Sequence, residues 1–139
     1  MMIRPVVSRK DLASFIKLPY TLYKKDPVWI PPLRDEQRGQ FDPKRNPLLD
    51  HCEYQLFLLE EKGKVIGRIA AFIDLLAIDF WKERVGLFGY FECIADPLAA
   101  RTLLDAAQTW LLARNCTSMR GPWSFVSQEW GSVVEGFIP

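Results

Sequence analysis

Three observations predict an α/β (α+β) domain, a mixed and mostly antiparallel sheet flanked by helices. Tyr54–Glu61 and Lys64–Asp74 are β-rich apolar runs on either side of Glu61-Lys62-Gly63-Lys64, whose glycine and charges mark a hairpin turn. Val85-Gly86-Leu87-Phe88-Gly89-Tyr90-Phe91-Glu92-Cys93-Ile94 is an apolar, aromatic run that reads as a central strand. Directly after it, Asp96-Pro97 opens a helix reaching about Arg114, on which Leu103, Leu104, Ala107, Trp110, Leu111 and Arg114 share one face.

The elements follow in order. Ile3 to Val7 is a short apolar strand, and Ser8-Arg9-Lys10-Asp11 is an N-cap serine with an acid at N3, close to a capping box. Leu12, Phe15, Ile16 and Leu22 give an apolar helical face. Pro19 lacks a donor and crowds the preceding turn, so two pieces are expected, Arg9–Leu18 and Tyr20–Lys24. Asp26-Pro27-Val28-Trp29-Ile30-Pro31-Pro32-Leu33 is a proline-stiffened crossing, Arg34 to Gln40 a short polar helix, and Asp42-Pro43 and Asn46-Pro47 are turns. Residues 26–52 are thus expected to be mostly irregular, a length that in a compact domain usually has a function or packs over the core.

The two hairpin runs are too apolar for exposed ribbons and should be interior strands. Leu75 to Arg84 is expected to be a short amphipathic helix or ordered loop, with Phe80 and Trp81 covering the sheet. In the last helix Asp96 is the N-cap and Pro97 sits at N1, where its missing N–H costs nothing. Asn115 suits the left-handed C′ position, Thr117 to Arg120 is a last strand, and Gly121-Pro122 breaks it. Trp123 to Pro139 contains strand-like Val133-Val134 but no finished element, so the sheet reads as incomplete at the C-terminus.

The 139 residues suit one domain, 1–139, and 49% hydrophobic with 25% charged residues is an ordinary globular composition. A net charge of +1 argues against a dedicated nucleic-acid binder. The charge is uneven: residues 1–48 carry ten Lys/Arg against five Asp/Glu, and residues 49–139 carry eight against twelve. Cys52, Cys93 and Cys116 at unpatterned spacing read as reduced thiols of a cytoplasmic protein. Neither a signal-peptide core at the N-terminus nor an apolar run near the ~20 residues of a membrane span is present.

The order strand, helix, helix, hairpin, strand, helix, strand resembles the first two-thirds of the GNAT acyl-CoA N-acyltransferase fold. Gly63-Lys64-Val65-Ile66-Gly67-Arg68-Ile69 is similar to the hairpin strand entry of that superfamily. Asp26–Leu33, Gly67-Arg68-Ile69-Ala70-Ala71, Phe88-Gly89-Tyr90-Phe91-Glu92 and Met119-Arg120-Gly121-Pro122 resemble the N-terminal lobe of longer bacterial GNAT-like proteins. The resemblance implies transfer of an acyl group from acetyl-CoA or another acyl-CoA to an amine. It also implies a downstream lobe. From the residues themselves a homodimer partner is the other expected contact, and no metal, nucleic-acid or membrane partner is expected. Glu92 falls where such proteins place the base that takes the amine's proton, an act that calls for a raised pKa. Cys93, Ile94, Ala95 and Arg101 fall where the cofactor is held, and a splayed strand end near Gly86 and Gly89 admits its pantetheine arm.

The family holds the pyrophosphate on backbone amides of a glycine-rich turn, whereas this chain has no glycine between Tyr90 and Arg120. As an N-cap, Asp96 would occupy one amide and oppose the phosphates. Like charges ~4 Å apart repel by about 1–4 kcal/mol, against about 0.3–1 kcal/mol offered by the helix dipole. Two readings therefore stand: an N-acyltransferase domain, or a non-catalytic GNAT-like lobe that packs against a partner.

Other candidates read more simply. Glu92 could equally be a strand carboxylate paired with an arginine. Cys93 reads as a small buried hydrophobe rather than a nucleophile. His51-Cys52-Glu53 holds metal-capable atoms, but three adjacent residues cannot converge on one ion. Gly86 and Gly89 mark a bulge or close backbone approach, or fit beneath Trp81 or Trp110. Trp29, Trp123, Phe125 and Trp130 are lids on the core or, for Trp123 to Trp130 in particular, a contact surface for another lobe or chain.

Overall fold

The computed structural model describes residues 1–126 and Glu135. Their one sheet has the order β1 (Met2–Pro5), β2 (Cys52–Glu61), β3 (Lys64–Asp74), β4 (Val85–Cys93) and β5 (Ser118–Arg120). The first three pairings are antiparallel and β4–β5 is parallel. Helices α1 (Arg9–Leu22) and α2 (Arg34–Gln40) lie on one face, α4 (Pro97–Leu112) covers the other, and α3 (Leu75–Trp81) joins β3 to β4.

The middle strand is β3, not the Val85–Ile94 run, which lies one place from the edge. Ile69, Ala71 and Ile73 pack under α4 with Leu103, Ala107 and Leu111. Ala70 and Phe72 face α1 with Phe15, Phe41 and Phe125. That period-2 alternation, apolar on both faces, is what a strand covered on both sides requires. Lys62 and Gly63 both have positive φ (51° and 77°), the two-residue hairpin geometry that the glycine signalled.

Pro19 does not divide the first helix, which runs unbroken through it for 14 residues. The proline leaves Phe15 O without its i+4 donor, and Arg68 Nη1 takes that place at 2.7 Å. At the helix start Ser8 Oγ accepts from Asp11 N at 3.0 Å, and Asp11 Oδ2 accepts from Val7 N at 3.2 Å. Beyond the predicted α2, the 26–52 stretch contains one 3-10 turn, Pro47–His51, capped by Asn46.

Phe80 and Trp81 do not cover the sheet: they are 75% and 69% exposed. Helix α3 is a short overhang in which Ile78 packs on the core, while Asp74 Oδ1 accepts from Leu76 N and Ala77 N. Helix α4 starts as the sequence predicts, with Leu98 N donating to Asp96 Oδ1 at 2.8 Å. It ends with Asn115 at φ 63°, Cys116 N bonded to Leu111 O and Asn115 N to Leu112 O, a left-handed C′ closure. Among the described residues strand β5 is the edge, and it ends at Arg120. Trp130, Val133 and Val134 lie outside the described residues.

Candidate functional site

The site is built on a bulge. Arg68 pairs with Glu92, yet Ala70 pairs with Gly89, so β4 carries one extra residue across this step. The extra residue reverses the alternation along β4. Leu87 packs on the α1 side and Phe88 on the α4 side, but beyond the bulge Tyr90 is on the α1 side and Phe91 and Cys93 on the α4 side. Glu92 is thereby delivered to the α1 face, where the phenol of Tyr23, the C-cap of α1, donates to Glu92 Oε2.

Tyr90 occupies the left-handed region (φ 52°), which a bulky non-glycine residue adopts only when its surroundings enforce it. They do. Tyr90 O accepts from Arg68 Nε at 3.0 Å, Tyr90 Oη donates to Gln40 Oε1 at 2.5 Å, and Phe125 N donates to Tyr90 Oη at 3.0 Å. Arg68 is 5% exposed. Burial pushes its guanidinium down to about 10, leaving it a cation at neutral pH. Burial, reinforced by the bond to Glu92, pushes the Tyr23 phenol well above the usual tyrosine range, so at neutral pH it is a proton-bearing donor. Its ring stands 5.4 Å from Trp29, which in turn meets Tyr20 at 5.6 Å. Tyr23 was not singled out from sequence, whereas Gly86 and Gly89 had marked a bulge or close backbone approach in this strand, and the bulge falls at Gly89.

The other predicted site residues divide across β4. Cys93 lies on the α4 face, opposite Glu92, against the glycine of Gly67 near Leu103. Burial raises its thiol pKa, which suits the buried-hydrophobe reading. Ile94 N is already bonded to Ile66 O at 3.0 Å. Ala95 and Arg101 are exposed. With Leu98 N bonded to Asp96 and no N–H on Pro97, the helix start does not fit a pyrophosphate. Pairing of β4 with β5 spans Val85 to Leu87 and is followed by Trp123 N bonded to Phe88 O. Among the described residues no strand pairs with β4 on that side beyond this point. Gly86 packs against Leu111 and Gly89 against the Trp123 backbone, rather than beneath Trp81 or Trp110.

Two further groupings were not foreseen. Glu53 turns away from His51 and Cys52 to pair with Arg114 at 2.8 Å. Asp74 comes in instead, and one ligand-capable atom from each of His51, Cys52 and Asp74 lies within 4.8 Å of the others. His51 Nδ1 is 2.8 Å from Asp74 Oδ1, the oxygen that also caps α3, and burial holds the Cys52 thiol up at about 12. On the α1–α2 side, a groove of about 570 Å³ is lined by Lys17, Tyr20, Tyr23, Lys24, Trp29 and Arg34.

A five-stranded, mostly antiparallel sheet with a parallel β4–β5 pair and helices on both faces matches solved GNAT acetyltransferases, and the chain has the GNAT fold. Solved structures match it across most of its length. A predicted acetyltransferase of Clostridium acetobutylicum, determined with acetyl-CoA, superposes with a TM-score of 0.58 at 17% identity, over 91% of this chain and 84% of that one. AAC(6')-Iy, in complex with the bisubstrate analogue CoA-S-monomethyl-acetylneamine, gives 0.57 at 16% identity over 97% and 95%. A GNAT-family acetyltransferase of Staphylococcus aureus gives 0.55 at 16% identity over 82% and 68%. By sequence the chain is 42% identical over 135 residues to the bacterial ceramide synthase of Caulobacter vibrioides, covering 96% of this chain and 35% of that protein. It is 36% identical over 137 residues to protein YghO of Escherichia coli, covering 98% and 35%. The chain thus spans about a third of the length of the curated relatives it matches. No protein-family model matches the chain. Among the described residues no helix is long and apolar enough to cross a membrane.

Proposed function

We propose that this chain is the GNAT lobe of a cytoplasmic N-acyltransferase that moves an acyl group from acyl-CoA to an amine. The observation that carries the reading is the Tyr23–Glu92 pair, presented by the β4 bulge beyond the β4–β5 pairing. An amine is protonated at neutral pH and becomes nucleophilic only when a base takes its proton. Glu92 is that base, and Tyr23 holds its carboxylate in place from α1. The identity to a protein named as a ceramide synthase supports a long-chain amino alcohol as the acceptor class, a ceramide being the N-acyl derivative of one.

A second reading is favoured by Asp96. Its carboxylate occupies Leu98 N, and Cys93, Ile94, Ala95 and Arg101 supply no amide nest, so this lobe's role would be to pack against a downstream lobe or a second copy that grips the cofactor. Titration of the 139-residue chain with acetyl-CoA in a calorimeter separates the two. Saturable binding below about 100 μM supports the first reading, and its absence, with self-association, supports the second. If the first holds, Glu92→Gln should lower kcat by about 10²–10⁴-fold with little change in acetyl-CoA affinity. An unaltered kcat removes Glu92 as the base.

A further inference from the structure

Two sets of large apolar side chains stand exposed on the described surface, and their electrostatic settings differ. On α3, Leu76, Phe80 and Trp81 are exposed beside the Asp79–Lys82 ion pair and the acid Glu83. On the crossing between α1 and α2, Val28, Ile30 and Leu33 are 49%, 87% and 74% exposed. Cations flank this second set: Lys24 and Lys25 precede it, Arg34 follows it ahead of Asp35, which pairs with Arg45, and Glu36, and Lys17, Lys24 and Arg34 line the adjoining groove together with Asp26. Among the described residues none of Lys17, Lys24, Lys25 and Arg34 has an ion-pair partner. The acid in the loop, Asp26, accepts from Val28 N at 2.9 Å.

The loop is also held in shape. Pro27, Pro31 and Pro32 restrict its backbone, Tyr20 Oη donates to Pro32 O at 2.6 Å, and Trp29 is anchored between Tyr20 and Tyr23. The Arg34 guanidinium lies over the Tyr20 ring at 4.1 Å. A preorganised loop whose apolar side chains point outward loses little conformational entropy when they are buried. Exposed apolar side chains flanked by unpaired lysines and an arginine match the interface of an anionic bilayer, where shallow apolar insertion and attraction to acidic headgroups act together. Charge singles this surface out from the α3 patch.

We infer that the 26–33 loop, with Lys17, Lys24, Lys25 and Arg34, docks the protein on an anionic lipid surface. The basic excess of residues 1–48 acquires a use in this arrangement. Docking does not depend on acyl transfer; only its consequence rests on the proposed function. Tyr23 lines the same groove and holds Glu92, so a lipid amine leaving the bilayer there would enter beside the proposed base.

Co-sedimentation of the 139-residue chain with phosphatidylglycerol and phosphatidylcholine vesicles tests this at low and high salt. The chain should sediment with phosphatidylglycerol, weakly with phosphatidylcholine, and less as salt rises. Ile30→Asp with Leu33→Asp, and separately Lys24→Glu with Lys25→Glu, should each weaken binding by about fivefold or more, whereas Phe80→Asp should leave it unchanged. Failure to bind phosphatidylglycerol overturns the inference, as does equal binding to both lipids or loss of binding on Phe80→Asp alone. Light scattering supplies the last outcome. If the chain dimerises and Ile30→Asp returns it to monomer, the loop is an interface between copies and not a lipid surface. None of these readouts involves acyl transfer, so failure here leaves the base assignment of Glu92 standing, and the reverse.

Discussion

Arg68 Nη1 donates to the backbone oxygen of Phe15 at 2.7 Å, and Phe15 O is the acceptor that Pro19, four residues on, cannot serve. A strand thereby completes a helix. The same guanidinium holds Tyr90 O through Nε at 3.0 Å and lies over the Phe15 ring at 4.9 Å, so one buried cation joins the interrupted helix to the bulge that aims Glu92. Arg68→Ala should cost about 2–5 kcal/mol, because two buried carbonyls lose a charged donor. In a Pro19→Ala background, residue 19 regains an N–H for Phe15 O. The Arg68→Ala penalty should then shrink by about 1 kcal/mol, measured from urea unfolding followed by tryptophan fluorescence. Strict additivity of the two substitutions would show that Arg68 does not substitute for the missing helical donor.

The Asp96 cap gives a second, smaller prediction. Its carboxylate satisfies Leu98 N at 2.8 Å, one of the amides a helix start leaves open. Asp96→Ala should lower stability by about 0.5–2 kcal/mol, and Asp96→Asn by less, since the amide oxygen still accepts. Thermal melts of the three proteins check this. An unmoved melting temperature for Asp96→Ala would mean that the observed bond contributes nothing.

What the sequence disclosed and what it hid have separate physical origins. Local chemistry was legible: the Ser8 and Asp96 caps, the Lys62-Gly63 turn and the left-handed Asn115 are each set by one or two residues. Pro19 misled because its remedy, Arg68, lies 49 positions away and is visible only after β3 meets α1. Glu92 was singled out through family resemblance, but its partner Tyr23 was not, since an extra residue in β4 reverses which side chains face α1. Phe80 and Trp81 were expected to cover the sheet because apolar residues usually do. A seven-residue helix whose Ile78 alone is placed against the core leaves them outside.

Alkaline stability should report on Cys52. Burial, followed by the nearby charge of Asp74, raises its thiol from 9.0 to about 12. A group whose pKa is higher folded than unfolded binds its proton more tightly in the native state. Its contribution is therefore complete below pH 9 and is lost as the pH climbs toward 12. The urea midpoint of the wild type should fall across this window, and Cys52→Ala should fall less steeply. Tyr23 adds a loss of the same sign above pH 10, so the comparison is best made between pH 8.5 and about 10. Parallel profiles for the two proteins would place the Cys52 thiol in water rather than in the fold.

Gly89 and Gly86 lie three residues apart on β4, and their environments predict unequal costs for the same added methyl. A Cβ on Gly89 would fall 1.6 Å from Trp123 O and 2.7 Å from Trp123 C, which are backbone atoms that can move only if the 121–125 crossing lifts off the strand. That crossing carries Trp123 N to Phe88 O and Phe125 N to Tyr90 Oη, so lifting it would also release Phe125 from the core on the α1 face. A Cβ on Gly86 would meet Leu111 Cδ2 at 2.6 Å and Cδ1 at 2.7 Å, the far end of a side chain that can change rotamer. Gly86→Ala should therefore cost about 1–3 kcal/mol, the usual range for overpacking. Gly89→Ala should exceed it, unfold at a lower urea midpoint and lose the near-UV signal of packed aromatic rings. Equal midpoints would mean that the crossing does not lie against Gly89.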